Sequence, residues 1–192
     1  MVLGKVFVVG AGPGDPDLIT LKGFFLLLTA DVVVAGSLVP DQLLDVVKDK
    51  VIYRERLTKE RHEEAVEAAL RAAREGKTVV FLKNGDPVLY GRGLEICRRA
   101  EEEGIPCEIV PGVTSVTAAA AKYKIPIGES GRPILLKTGR SDGAEPDVVV
   151  LMPEDAAEGL VVENLYGPGE KIYQGRPRGR PAIVFSLSRE LH

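Results

Sequence analysis

The chain has 192 residues, of which 45% are hydrophobic and 28% charged, a balance that excludes disorder and allows one sizeable core or two small lobes. Its formal net charge of −3 provides no global basic field for nucleic acid or an anionic membrane, so any anionic ligand must be met by a local basic patch. Two cysteines (Cys97, Cys107) and two histidines (His62, His192) make neither a disulfide scaffold nor a metal set. The absence of an apolar run of about 18 residues and of a signal-peptide pattern leads us to expect a cytoplasmic protein with no membrane span.

The first half alternates strand and helix signals. Residues 5–9 form a continuous apolar, β-rich run, as in a strand covered on both faces. Residues 18–29 carry apolar side chains at helical spacing. A second buried strand is expected at 31–36, a short helix at 40–47 with Pro40 near its start, and a third strand at 50–53. Thr58 opens a charged helix ending at Gly76, read as a solvated outer face, which leaves His62 without a nominated role. A fourth strand (78–82), a helix (94–104), a fifth strand (107–110) and a small-residue helix (114–123) follow. Strands separated by helices of this length imply βαβ units and a parallel sheet. Near 124–133 proline and glycine become frequent and helix signals fade. Residues 134–138, 147–152, 170–175 and 181–187 read as strands of a second lobe. The expected fold is α/β in two lobes, 1–116 with a five-stranded, mainly parallel sheet and flanking helices, and 117–192 as a shortened, strand-rich α/β lobe, with the boundary inside 112–132.

Two glycine-rich loops leave carboxyl ends of expected parallel strands, where open α/β sheets place ligands. The first, "VGAGPGDPDLITLKG", has Gly10, Gly12 and Gly14 alternating and Asp15 where a dinucleotide fingerprint needs its third glycine. The second is "GDPVLYGRG", and "VPGVTS" leaves the fifth strand in the same way. Taken singly each loop is also explained as a turn, with Asp15 and Asp86 capping the residues that follow. No Ser–His–Asp or Cys–His set is credible, so no catalytic side chain is assigned and no metal is expected.

In this order and at strand ends, the three loops closely resemble the tetrapyrrole methylases, through residues 3–127 and fading beyond. The resemblance implies a homodimeric enzyme that transfers a methyl group from S-adenosylmethionine to a ring carbon of a tetrapyrrole in cobalamin or siroheme synthesis, with the cofactor between two lobes. It implies cofactor contacts at Pro13, Gly85, Asp86, Pro87, Tyr90, Thr114 and Ser115, with Met152 of "VLMP" completing the site and Gly167 a weaker candidate. Gly12, Asp15 and Ser37 are expected to border the substrate. Its many carboxylates call for arginine or lysine clamps, for which Arg54, Arg56, Arg92, Arg132 and Lys137 are the loop-proximal candidates and ordinary surface charge the alternative. The uroporphyrinogen-III methylases usually carry an Asp–Arg pair where this chain has Gly36 and Ser37. "AGSLVP" instead resembles the cobalt-precorrin-4 C11-methyltransferases, which is the expected branch, while "GDPVLYGRG", "PGVTS" and "IPIGESG" lean toward the uroporphyrinogen enzymes. Two other classes stay open: a non-catalytic S-adenosylmethionine- or tetrapyrrole-binding remnant, and a generic nucleotide-binding domain, against which the missing third glycine and the lack of a Gly-Lys-Ser/Thr motif count.

Overall fold

Nearly continuous burial along residues 5–10, 32–35 and 78–83 marks the first sheet as covered on both faces. The computed structural model describes residues 3–55, 59–127, 134–138, 147–151, 158–179 and 181–186. Strands β1 (Lys5–Gly10), β2 (Val32–Ala35), β3 (Val51–Arg54), β4 (Thr78–Lys83) and β5 (Cys107–Val110) form a sheet in the order β3-β2-β4-β1-β5. Every neighbouring pair is parallel, for example Val8 opposite Phe81 and Ile109. Helices α1 (Leu21–Thr29) and α2 (Asp41–Asp45) connect strands running one way across the sheet. Helices α3 (Lys59–Arg74) and α4 (Gly93–Glu102) connect strands running the other way. Right-handed crossovers therefore put the two pairs on opposite faces.

The cores confirm that division. Val6, Val8, Val34, Val79 and Phe81 pack with Ala65, Val66, Ala69, Leu70 and Ala73 of α3 and Ile96 and Ala100 of α4. Val9, Val33, Val80 and Leu82 pack with Leu27 of α1 and Leu43 and Leu44 of α2 on the other face. A disulfide, Cys97–Cys107, fastens α4 to β5, so the two cysteines staple one helix to one strand rather than building a scaffold. The helix expected over 18–29 starts at Leu21, because the Thr20 hydroxyl caps it by accepting from the Gly23 N–H at 3.1 Å and the preceding Pro16–Leu18 closes a separate 3-10 turn.

Contacts divide the chain into Met1–Thr114 and Ser115–His192. The second unit begins with α5 (Ser115–Tyr123) and carries β6 (Ile134–Thr138), β7 (Asp147–Leu151), β8 (Gly159–Glu163), β9 (Lys171–Gly175) and β10 (Ala182–Ser186). These strands pair in the order β6-β7-β10-β8-β9, β6 parallel to β7 and the rest antiparallel. Strand β8, "GLVVE", was not among the expected strands, since its glycine start and acidic end shorten the apolar run. Its Val161 and Val162 are nevertheless buried, in a strand paired on both sides.

Candidate active site

Strands β1 and β4 are neighbours, yet α1 and α4 leave them for opposite faces, which makes the crevice beyond their carboxyl ends the natural ligand position. The loops meet there. Gly12 and Gly85 form a reciprocal bridge, the Gly85 N–H donating to the Gly12 carbonyl at 2.7 Å and the Gly12 N–H to the Gly85 carbonyl at 3.3 Å. Beside them the backbones approach too closely for any side chain. A Cβ on Gly112 would lie 2.2 Å from the Gly85 oxygen, and one on Gly10 would lie 2.6 Å from the Gly112 Cα. Glycine at 10 and 112 is thus a demand of space; at 12 and 85 the positive φ of 80° and 59° demands it as well.

Asp86 locks this lattice. One carboxylate oxygen accepts from the Val88 and Leu89 N–H groups at 2.8 and 3.1 Å, and the other accepts from the Gly112 N–H at 3.1 Å. Asp86 therefore holds the second and third loops together. Pro87 is buried beneath the loop, its carbonyl accepting from the Gly93 N–H at 2.8 Å. Tyr90 and Arg92 both take left-handed backbone, φ 57° and 59°, and the Tyr90 ring stands half-exposed. Pro13 lies partly buried in the first loop, and Asp15 caps the turn that follows by accepting from the Asp17 N–H at 3.0 Å.

The remaining expected residues spread out from this centre. Ser37 sits in the turn after β2, partly buried. Arg54 ends β3 in an ion pair with Asp41 and a 2.9 Å bond to the Val39 carbonyl. Arg92 is held bidentately by Glu95 at 2.7 Å, with Glu63 at 3.7 Å, so both arginines are already paired within the first unit. Thr114 closes the first unit and Ser115 opens α5 in the second. Gly167 lies in the β8–β9 turn, its N–H on the Asn164 carbonyl. Lys137 falls in β6. Met152, Arg56 and Arg132 lie outside the described residues.

His62 overturns the reading of α3 as a wholly solvated helix. It is 2% exposed, and its Nδ1 lies 2.5 Å from Glu55 Oε1. The other Glu55 oxygen accepts from Lys83 Nζ at 3.0 Å. In the first unit these three are the buried charged or polar side chains among the described residues. Burial pushes the Glu55 carboxyl up, but the His62 hydrogen bond and the Lys83 ammonium together hold it below the ordinary carboxylate value. The triad was legible in part: His62 lies three and four residues before the buried Ala65 and Val66, on the helix's apolar stripe, and Lys83 ends a buried strand just before "NGDP".

Residues 5–176 match the model of the tetrapyrrole (corrin/porphyrin) methylases. A uroporphyrinogen-III C-methyltransferase of Bacillus subtilis is 41% identical over 144 residues, 71% of this chain and 56% of the relative. The chain spans about half the length of the uroporphyrinogen-III C-methyltransferases it matches. Among solved structures, the uroporphyrin-III C-methyltransferase of Thermus thermophilus, complexed with S-adenosylhomocysteine, superposes with a TM-score of 0.74 at 30% identity, covering 94% of this chain and 90% of that one. A cobalt-precorrin-4 methyltransferase superposes with a TM-score of 0.73 at 29% identity, covering 94% of each. The glycine loops, the parallel sheet beneath them and a match over nearly the whole length agree, and the chain belongs to the tetrapyrrole methylases.

Proposed function

We propose that this protein is an S-adenosylmethionine-dependent C-methyltransferase acting on uroporphyrinogen III. The observation that carries the reading is the lattice of Gly10, Gly12, Gly85 and Gly112 locked by Asp86, a ledge of bare backbone at the carboxyl edge of β1, β4 and β5. Such a ledge suits a flat, polar cofactor that needs close approach and backbone hydrogen bonds. Pro13, Gly85, Pro87 and Tyr90 are the residues of the first unit that would hold it, with Asp86 fixing the loops from behind. When bound, S-adenosylmethionine supplies a methyl group on a positively charged sulfur that leaves with the bonding pair. The protein's own work is then to hold the acceptor carbon in line, exclude water and remove a proton.

The assignment among ring carbons rests on the relatives. "AGSLVP" favoured the cobalt-precorrin-4 branch, but curated relatives at 41% and 45% identity are uroporphyrinogen-III C-methyltransferases, so that expectation gives way. Cobalt-precorrin-4 remains the second reading, on Gly36 alone. A Cβ there would lie 2.8 Å from Asn84 Oδ1 and 3.0 Å from the Leu82 carbonyl oxygen, so a side chain at 36 would require Asn84 to move.

The test is calorimetric titration with S-adenosylhomocysteine, followed by transfer of labelled methyl to each tetrapyrrole. Micromolar binding and labelling of uroporphyrinogen III are expected. Binding with labelling of cobalt-precorrin-4 alone would move the protein to the second reading. No binding by folded protein at millimolar ligand would reduce it to a non-catalytic relative.

A further inference from the structure

A methyl cation added to a neutral ring leaves the ring positively charged. Neutrality returns only when a ring proton departs and its bonding pair stays with the ring. The reaction therefore calls for a proton acceptor, and the two carboxylates of the glycine loops already hold backbone: Asp86 accepts from three N–H groups across two loops, and Asp15 caps its own turn.

Glu55 also stands at the carboxyl edge of this sheet. Glu55 follows β3 directly, its N–H on the Ala35 carbonyl at 2.7 Å. The Gly36 N–H donates to Leu82, and the Ala11 N–H to the Lys83 carbonyl at 2.7 Å. Backbone hydrogen bonds thus run continuously from Glu55 through the ends of β2 and β4 to the first glycine loop. Glu55 Oε2 lies 3.7 Å from where a Cβ of Gly36 would be, and Asn84 Oδ1 2.8 Å from the same point. Its oxygens have Lys83 Nζ and His62 Nδ1 as partners among the described residues, one on each, leaving each a second lone pair. The residue is 8% exposed, shielded from bulk water without being sealed.

We propose that Glu55 is the proton acceptor of the methyl transfer, with Lys83 Nζ and His62 Nδ1 each anchoring one of its carboxylate oxygens. The proton leaves an N–H or a bridging C–H of the methylated macrocycle while the bonding pair stays on the macrocycle; it goes to a Glu55 oxygen and passes to solvent when product leaves. Lys83 and His62 are positioning residues. Beside the triad, Arg92 at the start of α4 is paired with Glu95 and Glu63 and feels the Glu55 charge. This assignment rests on the methyltransferase reading above.

The test compares the wild type with E55Q, E55D and the double variant E55Q/K83M, the last removing both buried charges so that loss of folding is not mistaken for loss of chemistry. S-adenosylhomocysteine affinity is expected to stay within about threefold throughout, while kcat of E55Q falls by about 100-fold or more, the scale of general base catalysis. E55D is expected to recover part of that loss, and E55Q/K83M to regain stability without regaining transfer. In infrared difference spectra at neutral pH, wild type minus E55Q is expected to show an ionised carboxylate band. A protonated carboxyl band there, an E55Q kcat within threefold of wild type, or transfer restored in E55Q/K83M would each overturn the assignment. A wild type that binds S-adenosylhomocysteine and methylates, with E55Q equally active, sinks this assignment alone. A wild type that does neither sinks both readings.

Discussion

Gly112→Ala tests whether the loops are held by space rather than by backbone preference. Gly112 does not take positive φ, so alanine costs nothing intrinsic there. The new Cβ would nevertheless sit 2.2 Å from the Gly85 oxygen, 2.8 Å from the Gly10 Cα and 3.0 Å from the Gly10 carbonyl carbon. All three are backbone atoms in paired loops, so no side-chain rotation relieves the clash. Overpacking of this kind costs about 1–3 kcal/mol, and displacing the Gly112 N–H from the Asp86 carboxylate adds about 1.5–3 kcal/mol. At about 4 °C per kcal/mol for a unit of this size, the melt should fall by roughly 10–25 °C. Gly104→Ala is the control: φ is +72° but the nearest atom to its Cβ is Leu3 Cδ1 at 4.0 Å, so only the left-handed penalty of about 1–2 kcal/mol applies. The assays are circular-dichroism melts and S-adenosylhomocysteine titration. Gly112→Ala should lose both stability and affinity, Gly104→Ala only a little stability. A Gly112→Ala protein that melts no lower than Gly104→Ala and binds as wild type would refute the lattice.

Three further outcomes follow from single contacts. Asp86→Asn leaves one accepting oxygen where two serve three N–H donors, and should cost about 1–3 kcal/mol in urea unfolding; an unchanged midpoint would show that Asp86 does not lock the loops. Reduction of Cys97–Cys107, which closes a sequence separation of 10, should lower stability by about 2–3 kcal/mol on chain entropy, read as the difference between melts with and without reductant. The Tyr123 hydroxyl is pushed up to about 12 by burial and by its bond to the Glu170 carboxylate. Because the folded value lies above the unfolded one, its contribution is complete below about 10 and is lost as pH rises toward 12; Tyr123→Phe should remove that alkaline slope, and an identical slope would remove the assignment.

The parallel sheet was legible because each strand is a short apolar run bounded by glycine or by a capped helix, and the order of loops was legible because glycine and proline punctuate them. What glycine means at each place was not. Gly12 and Gly85 look the same in sequence as Gly10 and Gly112, yet the first pair serves φ and both pairs serve a contact between loops more than 70 residues apart in sequence. Asp15 and Asp86 were both read as caps or ligand contacts; the fold makes one a local cap and the other a clamp across strands. The Glu55–His62–Lys83 triad needed three elements to come together, and a helix with as many charges as α3 hides one buried histidine among them. Strand β8 was missed because Gly159 and Glu163 bracket only three apolar residues.

That triad is costly by the usual measure of stability. Taking three polar groups out of water costs more than their attraction returns unless the geometry is good, and apolar replacements of equal size are often neutral or stabilising. Its pH signature separates its contribution from that of the exposed carboxylates. Burial raises the Glu55 carboxyl, but the His62 hydrogen bond and the Lys83 charge bring the net below the unfolded value of 4.5. A folded value below the unfolded one means stability is fully present above 4.5 and is lost as pH falls through the folded value. Exposed pairs such as Glu108 with Lys5 and Lys22, which hold Glu108 down to about 2, contribute the same sign in every variant and cancel in the comparison. Urea unfolding at pH 7 and pH 4 should therefore show the wild type losing more stability than E55Q/K83M, with the double variant at least as stable as wild type at the lower pH. Equal losses would mean that the Glu55 carboxylate is not held ionised by the fold, and the energy spent on burying it would have no counterpart in the site.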